Sequence, residues 1–230
     1  MAVKVAFIKA KAELEIDIPA EILDKLPKKI GLVTTIQHLD KVAELKNKIG
    51  AVSVSRVLGC SATSAAIYND KVDAFLYIGT GDFHPLEVGL RTGKDVYIFN
   101  PISKELKMLD KGKIESIKKR RKGAFLKFLT SENIGLLVSS KSGQNNIKTA
   151  WQLRDLFKEK FPEKICYVFG FNTLDFGQLE NFPFIDVWIG TACPRMATDD
   201  HLKFNRPLID ARELKEDLGI EVPKLISTFS

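Results

Sequence analysis

Three widely separated cysteines, Cys60, Cys166 and Cys193, are the residues of this chain best suited to metal or redox chemistry. Cys193 lies in TACPRMATDD, where Pro194 fixes the backbone and the positive charge of Arg195 favours a thiolate. Cys60 lies in RVLGCSATSAA, where the small residues that follow can begin a helix whose N-terminus stabilises a thiolate. For both positions, a functional thiol and a small residue at the edge of a core are equal alternatives.

Cys166 differs, because it lies within the apolar run Ile165–Phe169, and we interpret it as a small core residue. An odd number of distant cysteines does not form a disulfide framework, so we expect a reducing, cytoplasmic location. The histidines His38, His84 and His201 have no partner at helical spacing and form no metal motif. His84, which follows a glycine-rich turn, is the best ligand-binding candidate among them.

Short β-rich runs alternate with amphipathic segments such as Asp40–Lys48 and Ile147–Lys160. Most of the runs are continuously apolar, which is typical of strands buried on both faces of a parallel sheet. The strand candidates are Lys4–Ile8, Ile30–Thr34, Ala51–Val54, Ala74–Ile78, Val96–Phe99, Gly135–Ser139, Cys166–Phe169 and Ile185–Ile189. This alternation predicts an α/β fold of two Rossmann-like lobes with parallel sheets.

The boundary between the lobes is expected near the middle of the chain. Leu109–Lys113 has the composition of a hairpin turn and precedes a basic helix predicted over Ile114–Leu129. We place the boundary around Thr130, so that residues 1–130 form the lobe with Cys60 and residues 131–230 the lobe with Cys193.

The carboxyl ends of four predicted strands carry small, polar or thiol residues, and in open parallel sheets ligands bind at those ends. The residues concerned are Thr34 and Gln37, then Gly79, Gly81 and His84, then Ser140 and Gln144, and finally Cys193. This pattern predicts a ligand site in a cleft shared by the lobes. The polar side chains either bind the ligand or cap helices.

Composition excludes several classes of protein. The chain has 45% hydrophobic and 28% charged residues, as in an ordinary globular protein, and no apolar run long enough to cross a bilayer. Lysine and glutamate interrupt the N-terminal apolar residues, so we expect no signal peptide and no membrane contact. The net charge of +6 favours an acidic partner. We interpret the basic run Lys118–Lys122 as a solvated helix face and predict no direct nucleic-acid binding.

Several phrases together resemble one family: GLVTTIQHLDKV, RVLGCSA, AFLYIGTGDFHPLEVGLRTGKDVYIFNP, GLLVSSKSGQ and FPFIDVWIGTACPRMATDD. The chain is similar to the diphthamide-biosynthesis family of 2-(3-amino-3-carboxypropyl)histidine synthases, the archaeal Dph2-type proteins and their eukaryotic relatives. The resemblance runs in the same order over nearly the whole chain, and its most specific parts are the FHPL and TACPR phrases.

The resemblance implies a three-domain α/β architecture in which each domain donates one cysteine to a [4Fe–4S] cluster. It implies S-adenosylmethionine as co-substrate and the transfer of its 3-amino-3-carboxypropyl group, as a radical, to a histidine of elongation factor 2. Cys60 and Cys193 match the cysteines of the middle and last domains, and soft thiolates suit such clusters. The co-substrate pocket is then expected at Gly79, Gly81, His84, Ser140 and Gln144, with Thr34 and Gln37 as further candidates.

The family's first domain has no counterpart here, so the resemblance implies a shortened form. We expect a second copy or a partner chain to supply the missing ligand, as a homodimer or a heteromer. The alternative is a non-catalytic partner or regulatory subunit that has lost the complete cluster site. An enzyme like quinolinate synthase, which also builds a cluster from three related domains, is a more distant alternative.

Overall fold

The computed structural model describes residues 10–58, 61–198, 204 and 206–220. The chain divides into two compact units, Met1–Glu115 and Ser116–Ser230. The division falls inside helix α5 (Lys111–Leu129), whereas the sequence placed the boundary around Thr130, directly after that helix. The predicted strand Lys4–Ile8 lies outside the described residues.

The first unit is a five-stranded sheet in the order β2-β1-β3-β4-β5, with β5 antiparallel to β4 and the other pairs parallel. Its strands are β1 (Ile30–Thr34), β2 (Ser53–Arg56), β3 (Ala74–Ile78), β4 (Asp95–Phe99) and β5 (Leu106–Met108). Its helices before α5 are α1 (Ala20–Leu23), α2 (Leu39–Ile49), α3 (Thr63–Ala66), a 3₁₀ turn (Asn69–Lys71) and α4 (Phe83–Thr92).

The second unit is a four-stranded, fully parallel sheet in the order β7-β6-β8-β9. Its strands are β6 (Asn133–Ser139), β7 (Ile165–Phe171), β8 (Val187–Gly190) and β9 (Leu208–Asp210). After α5, its helices are α6 (Ile147–Lys160), α7 (Phe176–Leu179), α8 (Arg195–Thr198) and α9 (Ala211–Asp217).

The central strands are mostly apolar because helices cover both faces of each sheet. Leu32 and Leu76 face one cluster with Val42 of α2, while Phe75 faces the opposite cluster with Val88 of α4. In the second unit, one face packs on α5, α6 and α9, and the other packs around Trp188 and the short helices α7 and α8. The predicted α/β fold with two mostly parallel sheets is confirmed.

The predicted hairpin at Leu109–Lys113 is wrong. The Asp110 carboxylate accepts the backbone N–H of Gly112 at 2.8 Å, and α5 begins at Lys111, so Asp110 caps a helix. The hairpin that joins β4 to β5 lies earlier, where the Asn100 side chain accepts the N–H of Ile102 at 2.9 Å.

The expectation that the strand at Cys166–Phe169 is buried on both faces is also wrong. β7 is an edge strand, and Ile165 is 54% exposed. Cys166 is half-buried and packs against the apolar cluster of α5 and α6 on one side only. An edge strand has one neighbour, so the outer edge of β7 stays open to solvent although each of its faces packs against an apolar cluster.

Two strand starts were predicted two residues too early. β2 begins at Ser53 because α2 ends in the left-handed Gly50 and the register pairs Gly31 with Ser53. β8 begins at Val187 because Asp186, the residue before it, is held by other hydrogen bonds. The carboxylate of Asp186 accepts the backbone N–H groups of Glu132 and Asn133, at 3.2 and 3.0 Å.

The basic run on α5 is a solvated face only in part. Lys118, Lys119 and Lys122 are exposed, whereas Arg120 and Arg121 are half-buried. Within the described ranges, the structure has no helix with the length and apolarity that a bilayer crossing requires.

Two glycines provide a matched test of sheet packing. A Cβ on Gly135 of β6 would lie 2.4 Å from the ring of Trp188, which is fully buried and has no room to move. We therefore expect Gly135→Ala to lower the free energy of unfolding by about 2 kcal/mol or more. Gly123 of α5 has open space at its Cβ position, and Gly123→Ala should raise the free energy of unfolding by about 0.5–1 kcal/mol.

Urea unfolding of both variants, followed by circular dichroism, measures these differences. Equal stability of the Gly135→Ala variant and the unsubstituted protein would contradict the close approach of β6 to Trp188.

Candidate functional site

In the first unit, the ends of β1 and β3 are joined by a buried threonine. The Thr34 hydroxyl donates to the carbonyl oxygen of Ile78 at 2.7 Å, and the Thr34 side chain is fully buried. The structure thus places Thr34 inside the sheet, where its hydroxyl proton is hydrogen-bonded to the main chain. The loops that follow both strands leave from one edge.

The segment after β3 turns sharply at two glycines. Gly79 has a φ of +154° and is buried, and a Cβ there would lie 2.6 Å from the Tyr77 hydroxyl. Gly81 has a φ of +76° and is exposed. The left-handed φ of both residues and the close approach to Tyr77 explain why glycine is needed here.

The sequence suggested that the FHP segment is a loop, but in the structure it is a helical turn. Phe83 begins α4, and Pro85 lies in the first turn, where a missing N–H costs no helix hydrogen bond. His84 is half-buried and stacks on the ring of Tyr77, with a centroid distance of 5.9 Å and an interplanar angle of 13°. Phe83 contacts the imidazole edge-on at 5.3 Å.

Burial raises the pKa of the Tyr77 phenol to about 12, so this group is protonated at neutral pH. Its oxygen lies 3.4 Å from Nδ1 of His84. The phenol and the imidazole are therefore within hydrogen-bonding distance, and this contact and the ring stacking hold His84 at the carboxyl edge of the sheet.

Asp82, at the start of α4, is paired with two lysines. Lys107 and Lys113 donate to its carboxylate oxygens at 2.6 and 3.0 Å, and these hydrogen bonds lower the pKa of the carboxyl group. The ion pairs attach α4 to β5 and to the first turn of α5.

Gln37 is exposed after β1, and its backbone carbonyl accepts the N–H of Ala12 at 3.0 Å. His38 precedes the first residue of α2, as predicted, and burial lowers the pKa of its imidazole. Cys60 lies outside the described residues, as does His201. Leu58 and Ser61, which flank Gly59 and Cys60, exchange two backbone hydrogen bonds.

In the second unit, the loops after β6 and β8 leave from neighbouring strands. Ser140 and Gln144 are both exposed in the first of these loops. The Ser140 N–H donates to the carbonyl of Phe171 at 2.7 Å, and the Gln144 N–H donates to that of Lys141 at 3.1 Å. The polar side chains of Ser140 and Gln144 thus lie on the solvent side of a loop that backbone hydrogen bonds hold in place.

The Cys193 segment follows β8, as predicted, and the thiol-bearing residue is half-buried. Thr191 anchors the segment because its N–H and its hydroxyl both donate to the carbonyl of Leu137, each at 3.0 Å. Asn146 adds a contact that the sequence did not reveal, since its side-chain N–H donates to the Thr191 carbonyl at 2.7 Å. This bond joins the loop of Gln144 to the segment of Cys193.

Cys166 and Cys193 have different chemistry. Burial raises the pKa of the Cys166 thiol to about 11, and this residue packs against an apolar cluster. Cys193 belongs to none of the apolar clusters formed by the described residues and lies on a loop at a sheet edge. The Cys193 thiol fits a soft metal or an iron–sulfur cluster, whereas the Cys166 thiol fits a packing role.

One thiol cannot hold such a group alone. Across the described parts of the chain, no three histidine, cysteine or acidic residues come together as a metal-binding group. An iron–sulfur cluster therefore requires ligands beyond those that the described residues bring together.

The fold and the thiol at the sheet edge define an α/β protein with a half-buried metal-ligand candidate, and comparison with known proteins gives the family. The family model described as "Putative diphthamide synthesis protein" matches residues 1–223. The chain belongs to this family of diphthamide synthesis proteins.

Two archaeal curated relatives share one name. The 2-(3-amino-3-carboxypropyl)histidine synthase of Pyrococcus horikoshii is 29% identical, over 86% of this chain and 59% of its own length. The protein of that name from Methanocaldococcus jannaschii is 28% identical, over 82% of this chain and 51% of its own length. The chain thus spans between about half and three fifths of these two relatives.

A solved structure is also similar. The crystal structure of Dph2 from Pyrococcus horikoshii with a 4Fe-4S cluster aligns with a TM-score of 0.68 and 27% identity, over 86% of this chain and 59% of that one. The fold described above is therefore the fold of this part of that protein.

The packing role of Cys166 is open to a direct test. With a pKa of about 11, only about one thiol in a thousand is a thiolate at pH 8. We expect iodoacetamide to modify Cys166 at least about 100-fold more slowly in the folded protein than after unfolding in urea. Mass spectrometry of the Cys166 peptide measures both rates, and equal rates would show that the thiol is not buried.

The raised pKa of Tyr77 also predicts a pH dependence of stability. The folded state favours the protonated phenol. The resulting contribution of Tyr77 to the free energy of unfolding is complete below pH 10 and is lost as the pH rises towards 12. We expect Tyr77 to remove about 1 kcal/mol of unfolding free energy between pH 9 and pH 11. Tyr77→Phe should reduce this alkaline loss, whereas Tyr68→Phe, at a half-buried tyrosine, should retain it.

Proposed function

We propose that this chain is part of an enzyme that transfers the 3-amino-3-carboxypropyl group of S-adenosylmethionine to a histidine of elongation factor 2. The proposal is supported by family membership and by relatives named for this synthase that align over more than four fifths of the chain. Because the chain spans only part of those relatives, the activity, the substrates and the partners belong to this proposal.

The observation that carries the proposal is the placement of Cys193. Its half-buried thiol lies outside the described apolar clusters, on a segment that Thr191 and Asn146 attach to the end of β6 and to its loop. We propose Cys60 and Cys193 as ligands of a [4Fe–4S] cluster, which in its reduced form would supply the electron that cleaves S-adenosylmethionine. The related structure with a 4Fe-4S cluster supports such a cluster as the cofactor.

Each sheet, taken by itself, offers candidate contacts for the co-substrate at its carboxyl edge. We propose His84, Gly79, Gly81 and Gln37 as candidate contacts from the first unit. His84 presents a ring that its contacts with Tyr77 orient, and the exposed Gly81 leaves backbone N–H and carbonyl groups accessible. From the second unit we propose Ser140 and Gln144, whose exposed side chains offer hydroxyl and amide groups.

Thr34 has a different part in this proposal. Because its hydroxyl donates to the carbonyl of Ile78, Thr34 supports the edge of the first sheet and contributes no side-chain donor to the co-substrate.

Two cysteine ligands would hold a four-iron cluster weakly. We therefore propose that a second copy of the chain, or a chain that carries the remaining part of the family architecture, supplies a third thiolate. A homodimer and a heteromer both satisfy this requirement. Because the acceptor is a protein, the chain's net charge of +6 would assist docking to an acidic surface.

A second candidate function is a non-catalytic partner of such an enzyme. This form would retain the fold and would gain turnover of S-adenosylmethionine only with a companion chain. Turnover by the isolated protein would eliminate this candidate.

Anaerobic reconstitution with iron and sulfide tests the cluster assignment. We expect Cys60→Ala and Cys193→Ala each to reduce bound iron and sulfide by at least about half, because each removes a thiolate ligand. Cys166→Ala is the matched control and should retain the full content, because the Cys166 thiol is protonated and packed on one face of an edge strand. Cluster content that stays the same in both ligand variants would refute the assignment.

A further inference from the structure

The chain after Cys193 forms a single helical turn, and the backbone of Cys193 is part of it. The N–H of Met196 donates to the Cys193 carbonyl at 3.1 Å, and the N–H of Ala197 donates to the Pro194 carbonyl at 3.0 Å. α8 has only four residues, and a helix of that length is not stable on its own. The direction of the Cys193 side chain therefore depends on whatever holds this turn in place.

Packing supplies part of that support. Met196 and Ala197 are both 8% exposed and belong to the apolar cluster around Trp188 and Leu208. Apolar contacts are not directional, so they keep the turn on the sheet without fixing its rotation or its height.

A directional contact comes from the basic run on α5. Nη2 of Arg120 donates to the carbonyl oxygen of Ala197 at 3.0 Å, across 77 positions of sequence. This carbonyl belongs to the single turn of α8. A guanidinium remains charged at any physiological pH and is half-buried here, so solvent screens the contact only in part.

The neighbouring arginine is attached elsewhere. Arg121 forms an ion pair with Glu213 of α9 at 2.5 Å, and this contact leaves the carbonyl of Ala197 to Arg120. The two adjacent arginines therefore have the same chemistry and similar burial, but they are attached to different helices.

The beginning of the Cys193 segment is fixed from the opposite end. Thr191 is bound to Leu137, and the Asn146 amide donates to the Thr191 carbonyl at 2.7 Å. We propose that Arg120 is a positioning residue that closes the other end of this segment at Ala197 and so fixes the orientation of the Cys193 thiol. The link to an iron–sulfur ligand depends on the proposed function, whereas the anchoring of α8 does not.

Hydrogen exchange in the full-length, cluster-free protein tests the anchor. We expect the amides of Met196 and Ala197 to exchange roughly tenfold faster in Arg120→Ala, because a charge-assisted hydrogen bond to the helix end is lost. Arg120→Lys keeps a cationic donor and should restore at least part of the protection. Arg121→Ala, the matched control, should leave the exchange of these two amides within about twofold of the unsubstituted rate.

A spectroscopic measurement then tests the effect on the thiol. After anaerobic reconstitution to equal iron content, the electron paramagnetic resonance spectrum of the reduced cluster should change in Arg120→Ala. It should be unchanged in Arg121→Ala and should return towards the original spectrum in Arg120→Lys.

The outcomes separate the two proposals. Unchanged exchange at Met196 and Ala197 in Arg120→Ala, or equal acceleration in Arg121→Ala, overturns the positioning role whatever the cluster does. Faster exchange in Arg120→Ala alone, in a protein that binds no cluster even with a chain that carries the remaining part of the family architecture, supports the anchor and refutes the proposed function. Faster exchange with an unchanged cluster spectrum overturns the claim that Arg120 orients the thiol.

Discussion

The hydrogen bonds between neighbouring parallel strands determine where each functional segment begins. At the end of β8, Thr191 donates twice to the carbonyl of Leu137 at the end of β6. At the end of β1, Thr34 donates to the carbonyl of Ile78 at the end of β3. Both units therefore use a buried threonine hydroxyl to close the carboxyl edge of the sheet. The segments with His84 and with Cys193 leave from these two fixed edges.

The sequence predicted the elements that are long and periodic. The bounds of β1, β3 and α6 agree with the prediction, because continuous apolar runs and a helical apolar period are strong signals. The three-residue strands β5 and β9 were missed because segments this short contain no period. The hairpin error at Asp110 has a similar cause, since an aspartate before a glycine suits both a turn and a helix cap.

The same limit applies to the site. Position at a strand end predicted Cys193, Ser140 and Gln144 as residues of one sheet edge, because topology alone decides this. Sequence could not show that the hydroxyl of Thr34 is used inside the sheet, because that depends on the distance to Ile78. Asn146 and Arg120 were missed for the same reason, since they reach partners 45 and 77 positions away.

The surroundings of Cys166 fit a core residue, and those of Cys193 fit the functional thiol that we propose. Cys166 packs against the apolar cluster between α5 and α6, and desolvation keeps its thiol protonated. Cys193 has no comparable apolar contacts among the described residues, yet its backbone is part of a turn with directional contacts at both ends. Because such contacts fix orientation more than they add apolar burial, this arrangement favours a ligating role for Cys193 over a packing role.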